Sequence, residues 1–295
     1  MPERVFGFIG LGQMGGPMAA NIVDAGFSLH VYDKAGTQGL APRTAIISGS
    51  AAKLAETCDT IFLCIPNGAV SAELAREITN VGNARVNTII DLSTIGSEAT
   101  IAVEAIFKGA EMAYVDAPVS GGRKGAVAAT ISLMWAGPKI LFDAHQDVLR
   151  SFIKSAFFIS ERPGDGQTLK MLNNFLSATA MVATAEAVTF GMSRGLDMKT
   201  ILDVVNVSSG HNTATSIKFP DQVLTEKFDA GFPTSLITKD VRLYIENVLQ
   251  EGTASYVARH VFEVMNACNA RIPDEDFTRI FEFVRDGGED TIDLS

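Results

Sequence analysis

The stretch Val5-Phe-Gly-Phe-Ile-Gly-Leu-Gly-Gln-Met-Gly15 decides the fold of this 295-residue chain. An apolar run typical of a buried strand leads here into a helical pattern, and Gly10, Gly12 and Gly15 stand at the junction in G-x-G-x-x-G spacing. In such a junction the first glycine permits a tight turn, the second lets the backbone approach a pyrophosphate, and the third lets the helix pack close to the strand. The stretch therefore predicts a dinucleotide-binding βαβ unit.

Asp33 ends the next apolar run, Leu29-His-Val-Tyr-Asp33, and lies 21 residues after Gly12. Dinucleotide-binding folds place an acidic residue about 20 residues beyond the glycine turn, where it accepts hydrogen bonds from ribose hydroxyls. A carboxylate there repels a 2′-phosphate, so we predict NAD as the cofactor and leave NADP open because Lys34 is adjacent. The alternative interpretation of Asp33 is a solvated aspartate at a strand end.

Composition and charge restrict the class of protein. Hydrophobic residues make up 47% of the chain and charged residues 20%, as in folded globular proteins. Because a domain commonly takes about 100–200 residues, the length favours two domains. Acidic residues outnumber Lys and Arg by 34 to 24, for a net charge of −10. This balance argues against nucleic acid as a partner and against attraction to an anionic membrane surface.

The first half of the chain alternates apolar runs with amphipathic stretches. The predicted strands are residues 5–10, 29–33, 60–65, 88–92, 113–117 and 130–136, and the predicted helices are residues 14–25, 51–56, 70–78, 97–108 and 139–151. This alternation is typical of an α/β fold. We therefore predict a Rossmann-type, doubly wound parallel sheet.

After Pro163 the pattern changes to long helices without a convincing strand. The longest predicted helix covers about residues 167–194, roughly 42 Å at 1.5 Å per residue. Its apolar middle is too short for the ~20 residues of a membrane span, so we predict no membrane. Such a helix is buried in a core or between subunits, which favours a homodimer or homotetramer. We predict an NAD-binding Rossmann domain over residues 1–163 and an all-helical domain for substrate binding and oligomerisation over residues 164–295, with this long helix between them.

Cysteine and histidine usage predicts neither a metal site nor export. The three cysteines and four histidines lie without metal-ligand spacing, and we expect reduced thiols. The chain opens Met1-Pro-Glu-Arg4 and continues into a strand-like run without the pattern of a signal peptide. We expect a cytoplasmic protein.

Four ordered motifs extend over nearly the whole chain. They are Gly7-Phe-Ile-Gly-Leu-Gly-Gln-Met-Gly-Gly-Pro-Met18, Asp116-Ala-Pro-Val-Ser-Gly-Gly122, Gly164-Asp-Gly-Gln-Thr-Leu-Lys-Met-Leu-Asn-Asn174 and Thr238-Lys-Asp240. This set resembles the β-hydroxyacid dehydrogenase family, of the 3-hydroxyisobutyrate dehydrogenase and tartronate semialdehyde reductase type. The resemblance implies an NAD(P)-dependent oxidoreductase that reversibly transfers a hydride between the cofactor and a small, anionic 3-hydroxy acid or the corresponding aldehyde acid.

The resemblance also implies roles for individual residues. Lys170 is implied to be the catalytic acid/base, and Asn174, four residues on and so on the same helix face, its hydrogen-bonding partner or that of the substrate. Ser120, Gly121 and Gly122 are implied to bind the substrate, and as a loop after a strand they offer a hydroxyl and backbone N–H groups for a carboxylate. The alternatives are a solvated surface lysine and a flexible Ser-Gly-Gly turn.

Cofactor contacts are implied for the glycine turn, for two loops that follow strands and for one lysine of the helical half. These residues are Gly10, Leu11, Gly12, Gln13, Met14, Gly15, Asp33, Ile65, Pro66, Asn67, Thr94 and Lys239. For Lys239 the alternative is a helix-surface lysine paired with Asp240.

Other functions stay open at this point. Reduction of an aldehyde acid is an alternative physiological direction, because the chemistry is reversible. An imine reductase of the same fold is disfavoured by Lys170, since those enzymes generally lack the lysine. A non-catalytic dinucleotide-sensing module is the alternative from another class, and the retention of Lys170 together with Asn174 favours the enzyme over it.

Overall fold

The computed structural model describes residues 4–287, and this part of the chain divides into two compact units between Lys170 and Met171. The predicted boundary after residue 163 lies seven residues earlier. The difference arises because the start of the long helix is hydrogen-bonded to the sheet of the first unit, for example from the Gln167 N–H to the Asp116 carboxylate.

The first unit is built on a mixed sheet in which parallel strands dominate. Its strands are β1 (Phe6–Ile9), β2 (Leu29–Tyr32), β3 (Ile46–Ile47), β4 (Thr60–Leu63), β5 (Thr88–Asp91), β6 (Ala113–Asp116), β7 (Val119–Ser120), β8 (Ile131–Ala136) and β9 (Ile153–Ser160). They follow the order β3-β2-β1-β4-β5-β6-β8-β7, with β9 paired to β8. The strands from β3 to β6 are parallel, whereas β8 is antiparallel to β6 and β7. The Rossmann-type α/β prediction is confirmed, and its all-parallel sheet is corrected to a mixed one.

Helices cover both faces of this sheet. They are α1 (Gly15–Asp24), α2 (Thr37–Leu40), α3 (Ala51–Thr57), α4 (Gly68–Thr79), α5 (Ser97–Gly109), α6 (Gly122–Val127), α7 (Lys139–Ala144) and α8 (Gln146–Phe152). Successive residues of β4 point to opposite faces, so Phe62 joins one buried cluster while Ile61 and Leu63 join the other. The strand is apolar throughout because both of its faces are buried. The single helix predicted over residues 139–151 is interrupted at His145.

The order of strands fixes where a ligand can bind. The chain runs outward from β1 to β2 and β3 on one side and from β4 to β5 and β6 on the other. In such sheets ligands bind at the carboxyl ends of the strands, where the order reverses. The glycine turn after β1 and the loops after β4, β5 and β6 lie at this edge.

The elements of the second unit are all helical over its described residues. Its elements are the rest of α9 (Asp165–Ser193), α10 (Met198–Asn206), a π-helix (Ala214–Val223), α11 (Thr234–Gln250), α12 (Tyr256–Arg271), a 3-10 turn (Phe277–Arg279) and α13 (Ile280–Arg285). α9 contributes Ala178, Met181 and Ala185 to the core, where they join Val241 of α11 and Met265 of α12. The helical prediction for this half is confirmed.

Helix α9 is long and apolar enough, by length and composition, to cross a membrane. Its most apolar 18-residue window has a mean hydropathy of 1.3, and 39% of that window is buried. One helix of this kind is weak evidence for a membrane span, because the core helix of a water-soluble protein has the same length and composition.

Candidate active site

The three glycines of the turn after β1 have two different roles: two of them allow close packing of the backbone, and one leaves the backbone open to a ligand. Gly10 has a φ of +93°. A Cβ on Gly10 would lie 2.2 Å from the Cys64 carbonyl oxygen, and one on Gly15 would lie 1.8 Å from the Gly10 carbonyl oxygen. A Cβ on Gly12 would meet no atom within 4 Å. Gly10 and Gly15 therefore allow the turn to pack, and the backbone at Gly12 is open to a ligand.

The amino terminus of α1 follows this open backbone. Met14, its N-cap residue, makes no side-chain cap, and the first turn carries no acidic residue. Unsatisfied N–H groups and the helix dipole make such a terminus favourable for an anion. Together with the open Gly12, it fits the pyrophosphate of a dinucleotide.

Asp33 is held against the glycine turn. Its Oδ2 accepts a hydrogen bond of 2.6 Å from the Leu11 N–H, and its Oδ1 accepts one of 2.7 Å from the Ala35 N–H. A carboxylate accepts about four hydrogen bonds, so capacity for ribose hydroxyls is left on both oxygens. Asp33 therefore also has a structural role, which is to fix the backbone at Leu11.

The loops after β4 and β5 are connected through Ser93. Its Oγ accepts a hydrogen bond of 2.9 Å from the Ile65 N–H, and its own N–H donates to Asp91 over 2.9 Å. Asp91 is fully buried and also accepts hydrogen bonds from Ser71 and Tyr114. Burial raises the pKa of the Asp91 carboxyl. This network fixes the backbone of the first of the two loops, in which Asn67 accepts a hydrogen bond from the Val70 N–H and so caps α4.

Asp116, at the end of β6, caps the long helix α9. Its Oδ2 accepts hydrogen bonds of 3.0 Å from the N–H groups of Gly164 and Gln167. Burial raises the pKa of Asp116 to about 7, although these donors favour the charged form. The cap fixes the first turn of α9, and Lys170 follows three residues after Gln167 on the same helix.

Ser120, Gly121 and Gly122 do not form the predicted loop. Ser120 lies in the short strand β7, where it pairs with Ser132, and Gly122 begins α6. Gly121 and Gly122 both have positive φ, +136° and +64°. A turn between a strand and a helix replaces the loop because β7 pairs with β8, which the sequence pattern did not indicate.

Lys170 and Asn174 lie one turn apart on α9. Lys170 is 8% exposed and Asn174 is 4% exposed. Lys170 is therefore not the solvated surface lysine of the alternative interpretation. Proton transfer by a lysine needs a partly desolvated amine of this kind.

In the second unit, Asn174 is bound to an aspartate of α11. Its Nδ2 donates a hydrogen bond of 2.6 Å to Oδ2 of Asp240, and its Oδ1 accepts one of 3.1 Å from Asn173. Lys239 lies 3.3 Å from the other carboxylate oxygen of Asp240 and is about one-third exposed. The pair with Asp240 is the contact that the alternative interpretation of Lys239 describes.

Asp116 and Gln167 have no role in the predictions made from the sequence. Ser93 is predicted only as a neighbour of Thr94 in a loop that contacts the cofactor, and Asp240 only as the alternative partner of Lys239. Asp116, Gln167 and Asp240 stand inside the quoted motifs. Two sequence features indicate such residues. Asp116 is a polar residue at the end of an apolar strand, and Asp240 is a polar residue beside a lysine of a motif.

Metal-ligating groups do not gather in the part of the chain that the structure describes. Over residues 4–287 no three His, Cys, Asp or Glu side chains form a set that would hold a metal ion. Cys58, Cys64 and Cys268 are free thiols, and burial raises the pKa of each to about 12.

Comparison with known proteins matches both halves of the chain. Residues 5–160 match the NAD binding domain of 6-phosphogluconate dehydrogenase, and residues 164–284 match the NAD-binding domain of NADP-dependent 3-hydroxyisobutyrate dehydrogenase. The mitochondrial 3-hydroxyisobutyrate dehydrogenase of Drosophila melanogaster is 31% identical over 95% of this chain and 89% of its own. The 2-(hydroxymethyl)glutarate dehydrogenase of Eubacterium barkeri is 32% identical over 81% of each chain.

A solved structure agrees with these relatives. The structure of 3-hydroxyisobutyrate dehydrogenase from Mycobacterium tuberculosis with L-serine has a TM-score of 0.87 at 28% identity, and the match covers 96% of this chain and 99% of that one. The glycine turn, the capped α9 and these matches define the class: this chain belongs to the β-hydroxyacid dehydrogenase family. It is an NAD(P)-dependent hydroxyacid dehydrogenase.

Proposed function

We propose that this enzyme reversibly oxidises a small 3-hydroxy acid to the aldehyde acid, with Lys170 as the general acid/base. The observation that carries the proposal is the buried Lys170, one helical turn from a buried Asn174. A buried lysine next to a buried amide is the kind of side chain that acts as a positioned general acid and base.

In the proposed reaction Lys170 transfers the proton and Asn174 provides a hydrogen bond. In oxidation the neutral Lys170 amine accepts the proton of the substrate hydroxyl, and in reduction the Lys170 ammonium donates a proton to the carbonyl oxygen. The cofactor supplies, when bound, the acceptor or donor of the hydride. Asn174 is a hydrogen-bonding partner of the substrate, to whose oxygen its amide N–H donates, or of Lys170, whose N–H donates to its amide oxygen. Because one lysine serves both directions, its charge state fixes which direction it assists.

The cofactor is held by residues at the carboxyl edge of the sheet. The open backbone at Gly12 and the amino terminus of α1 bind the pyrophosphate, with Gln13 and Met14 beside it. Asp33 accepts hydrogen bonds from the ribose, and its negative charge favours NAD over NADP. The loops at Ile65 and Thr94, with Pro66 and Asn67, contact the rest of the cofactor, and Lys239 is the further cofactor contact that the family resemblance implies.

The substrate is a carboxylic acid with a primary alcohol on the β carbon. The relatives' names, 3-hydroxyisobutyrate and 2-(hydroxymethyl)glutarate, share a hydroxymethyl group next to a carboxylate-bearing carbon. A hydroxyl from Ser120 and backbone N–H groups at Gly121 and Gly122 suit that carboxylate. We therefore propose a 2-substituted 3-hydroxypropanoate, with residues 164–295 providing the substrate and oligomerisation domain.

A substrate panel with a matched variant tests the proposal. Purified protein is assayed with NAD and a series of hydroxy acids, and with NADH and the corresponding aldehyde acids. The Lys170→Ala variant is expected to lose about 100-fold or more in kcat while it still binds NAD, as is typical for loss of a general acid/base. Lys199→Ala, which removes an exposed helical lysine, serves as the control. Near-normal turnover by Lys170→Ala would exclude the assigned role.

The same panel separates the alternatives. The ratio of kcat/KM for aldehyde acids to that for hydroxy acids shows which direction the enzyme favours. NAD binding without turnover of any member would support the non-catalytic sensing module instead.

We also propose that the protein is a homodimer or homotetramer. Leu172, Leu176 and Phe190 lie along one stripe of α9, and Leu176 and Phe190 are 56% and 69% exposed. An apolar stripe of this kind is favourable when a second copy covers it. Light scattering at micromolar concentration tests this, and a stable monomer would contradict it.

A cytoplasmic location is proposed on the three free cysteines, which suit a reducing compartment. Cell fractionation tests this location.

A further inference from the structure

Gln167 uses every hydrogen-bonding position of its side chain. Its Oε1 accepts hydrogen bonds of 2.9 Å from the Ile95 N–H and 3.1 Å from the Gly96 N–H. Its Nε2 donates to the Ser93 carbonyl oxygen over 2.9 Å and to Oδ1 of Asp116 over 2.7 Å. A primary amide offers two acceptor and two donor positions, and all four are satisfied here. The side chain is buried, at 1% exposure.

The partners of this amide belong to the cofactor loop, by which we mean residues 93–96 after β5, and to the cap of α9. Ser93, Ile95 and Gly96 flank Thr94, so three backbone groups on either side of Thr94 are bound to one side chain. Ser93 is in turn bound to the Ile65 N–H. The loops proposed to contact the cofactor are thus connected to a single glutamine at the start of the helix that carries Lys170.

The backbone around Gln167 is fixed at the same place. Asp116 accepts both the backbone N–H and the side-chain N–H of Gln167. A Cβ on Gly166 would lie 2.8 Å from Oδ2 of Asp116 and 2.8 Å from the Met134 carbonyl oxygen, so the first turn of α9 lies directly on the sheet. With both its backbone and its side chain bound, Gln167 fixes the rotation and the height of this turn.

We propose that Gln167 is a positioning residue that couples the cofactor loop at Thr94 to the place of Lys170 one turn further along α9. This inference rests on the proposed role of Lys170. Gln167 acts through the residues that it fixes and does not touch the reacting atoms. Misplacement of a reacting group by about 1 Å can cost about 100-fold in rate. Loss of these four hydrogen bonds is therefore expected to lower kcat as well as the stability of the fold.

Other side chains do not reproduce the four contacts. Glu would place carboxylate oxygens against the Ser93 carbonyl and the Asp116 carboxylate, which are both acceptors. Met would fill the space but leave the three loop groups and Asp116 without this partner. The neighbouring Thr168 binds Ser97 and the Gly164 carbonyl oxygen from the exposed side of the same turn, so Thr168→Ala is a matched control.

The test compares Gln167→Met with Thr168→Ala in the full chain. Gln167→Met is expected to lower kcat by about 10-fold or more and to weaken NAD binding by about 5-fold, because both the loop and Lys170 lose their fixed positions. With NADH deuterated at C4, the isotope effect on reduction is expected to rise, since the chemical step becomes slower than cofactor release. Thr168→Ala is expected to stay within about two-fold of wild type in each measurement. A folded Gln167→Met protein that matches Thr168→Ala in kcat, NAD affinity and isotope effect overturns the inference.

A second variant covers the case in which Gln167→Met fails to fold. Gln167→Glu is isosteric, and its protonated carboxyl offers a donor again. The ratio of its kcat to that of Thr168→Ala, measured in the same direction of the reaction, is therefore expected to increase as the pH falls from 8 to 6, because the effect of Lys170 protonation cancels in the ratio. The absence of this increase in a folded Gln167→Glu protein overturns the inference. If wild-type protein turns over no hydroxy acid, the proposed function fails, and NAD affinity of the variants then decides whether Gln167 fixes the loop.

Discussion

Asn174 donates a hydrogen bond of 2.6 Å to Asp240, and both side chains are buried in the second unit. This contact fixes the amide of Asn174, since its NH₂ group faces the carboxylate and its carbonyl oxygen accepts from Asn173. A hydrogen bond to an ionised acceptor is worth more than a neutral one, about 1.5–3 kcal/mol.

Asp240→Asn is expected to lower kcat by about 10-fold or more, because Asn174 loses the charged acceptor that orients it. Steady-state kinetics with the best substrate of the panel measure this. Asp203→Asn is the matched control, since Asp203 forms a 2.7 Å ion pair with Lys199 on the surface of α10. Equal kcat values for the two variants would show that Asp240 does not orient Asn174 for the reaction.

The glycine turn gives a prediction that separates binding from folding. Gly12→Ala is expected to fold with an unchanged unfolding temperature, because the new methyl group meets no atom within 4 Å. The same methyl group occupies the space left for the pyrophosphate, so NAD affinity is expected to fall by about 10-fold or more. Calorimetry and NADH fluorescence measure the two effects.

Two further variants, Gly15→Ala and Gly39→Ala, serve as comparisons for Gly12→Ala. Gly15→Ala is expected to lower the unfolding temperature as well, since its Cβ would lie 1.8 Å from the Gly10 carbonyl oxygen. Gly39 also has open space around it but lies outside the turn, in α2, so Gly39→Ala is expected to leave NAD affinity unchanged and not to lower the unfolding temperature. Unchanged NAD affinity in Gly12→Ala would exclude cofactor binding at this backbone.

Asp33 is expected to determine the choice between the two cofactors. Wild-type protein is expected to show a higher kcat/KM with NAD than with NADP, and Asp33→Asn is expected to reduce this ratio by about 10-fold, because the repulsion of the 2′-phosphate is lost. Asparagine keeps one acceptor, for the Leu11 N–H in the glycine turn, and loses only the hydrogen bond from the exposed Ala35 N–H. Asp24→Asn, at the far end of α1, is the control. A wild-type preference for NADP would remove Asp33 from this role.

Lys218 on the π-helix gives a prediction about pH and stability. Its ammonium donates a hydrogen bond of 2.7 Å to Ser177 and lies 5.3 Å from the centre of the Phe277 ring. Burial lowers the pKa of Lys218 from 10.5 to about 8. Between these two pH values the unfolded chain holds a proton that the folded protein has released, so this group makes folding more favourable as the pH rises.

Lys218→Met is expected to lack that contribution. The free energy of unfolding of wild type minus that of Lys218→Met is expected to rise by about 1–3 kcal/mol between pH 8 and pH 10.5, and to be constant below pH 7. Urea titrations at several pH values measure the difference. Lys227→Met, which removes an exposed lysine nearby, is expected to give a flat difference. A flat difference for Lys218→Met as well would contradict the lowered pKa.

Local patterns predicted the elements that make up the centre of the fold. The six strands predicted from apolar runs begin and end within two residues of their positions in the structure. The strand β9 was missed because it follows Phe152, the last residue of α8, without a turn. Its sequence, Ile153-Lys-Ser-Ala-Phe-Phe-Ile-Ser160, does not alternate regularly between apolar and polar residues, and only one of its eight residues is buried. Pairing along β8 stabilises it, and that is a tertiary effect.

The candidate site was predictable where a motif fixes a backbone and less so where distant residues meet. The G-x-G-x-x-G spacing indicated the turn at Gly10 directly. The contact of Asp116 with Gln167 joins residues 51 positions apart, and that of Asn174 with Asp240 joins residues 66 apart. No local periodicity reports such pairs, because they arise from the order of strands and the packing of helices.

Gln167, Lys170 and Asn174 lie on one continuous helix, α9. The division between the two units falls inside this helix, between Lys170 and Met171. Each residue of an α-helix turns the next by about 100° and raises it by about 1.5 Å. One residue inserted or deleted between Gln167 and Asn174 would therefore carry the lysine or the asparagine about a quarter of a turn away from its present direction. A change in the length of this segment therefore alters the direction of these side chains, which a substitution on its exposed face does not. The number of residues between the cap and the amide is thus as much a part of the enzyme as their identities.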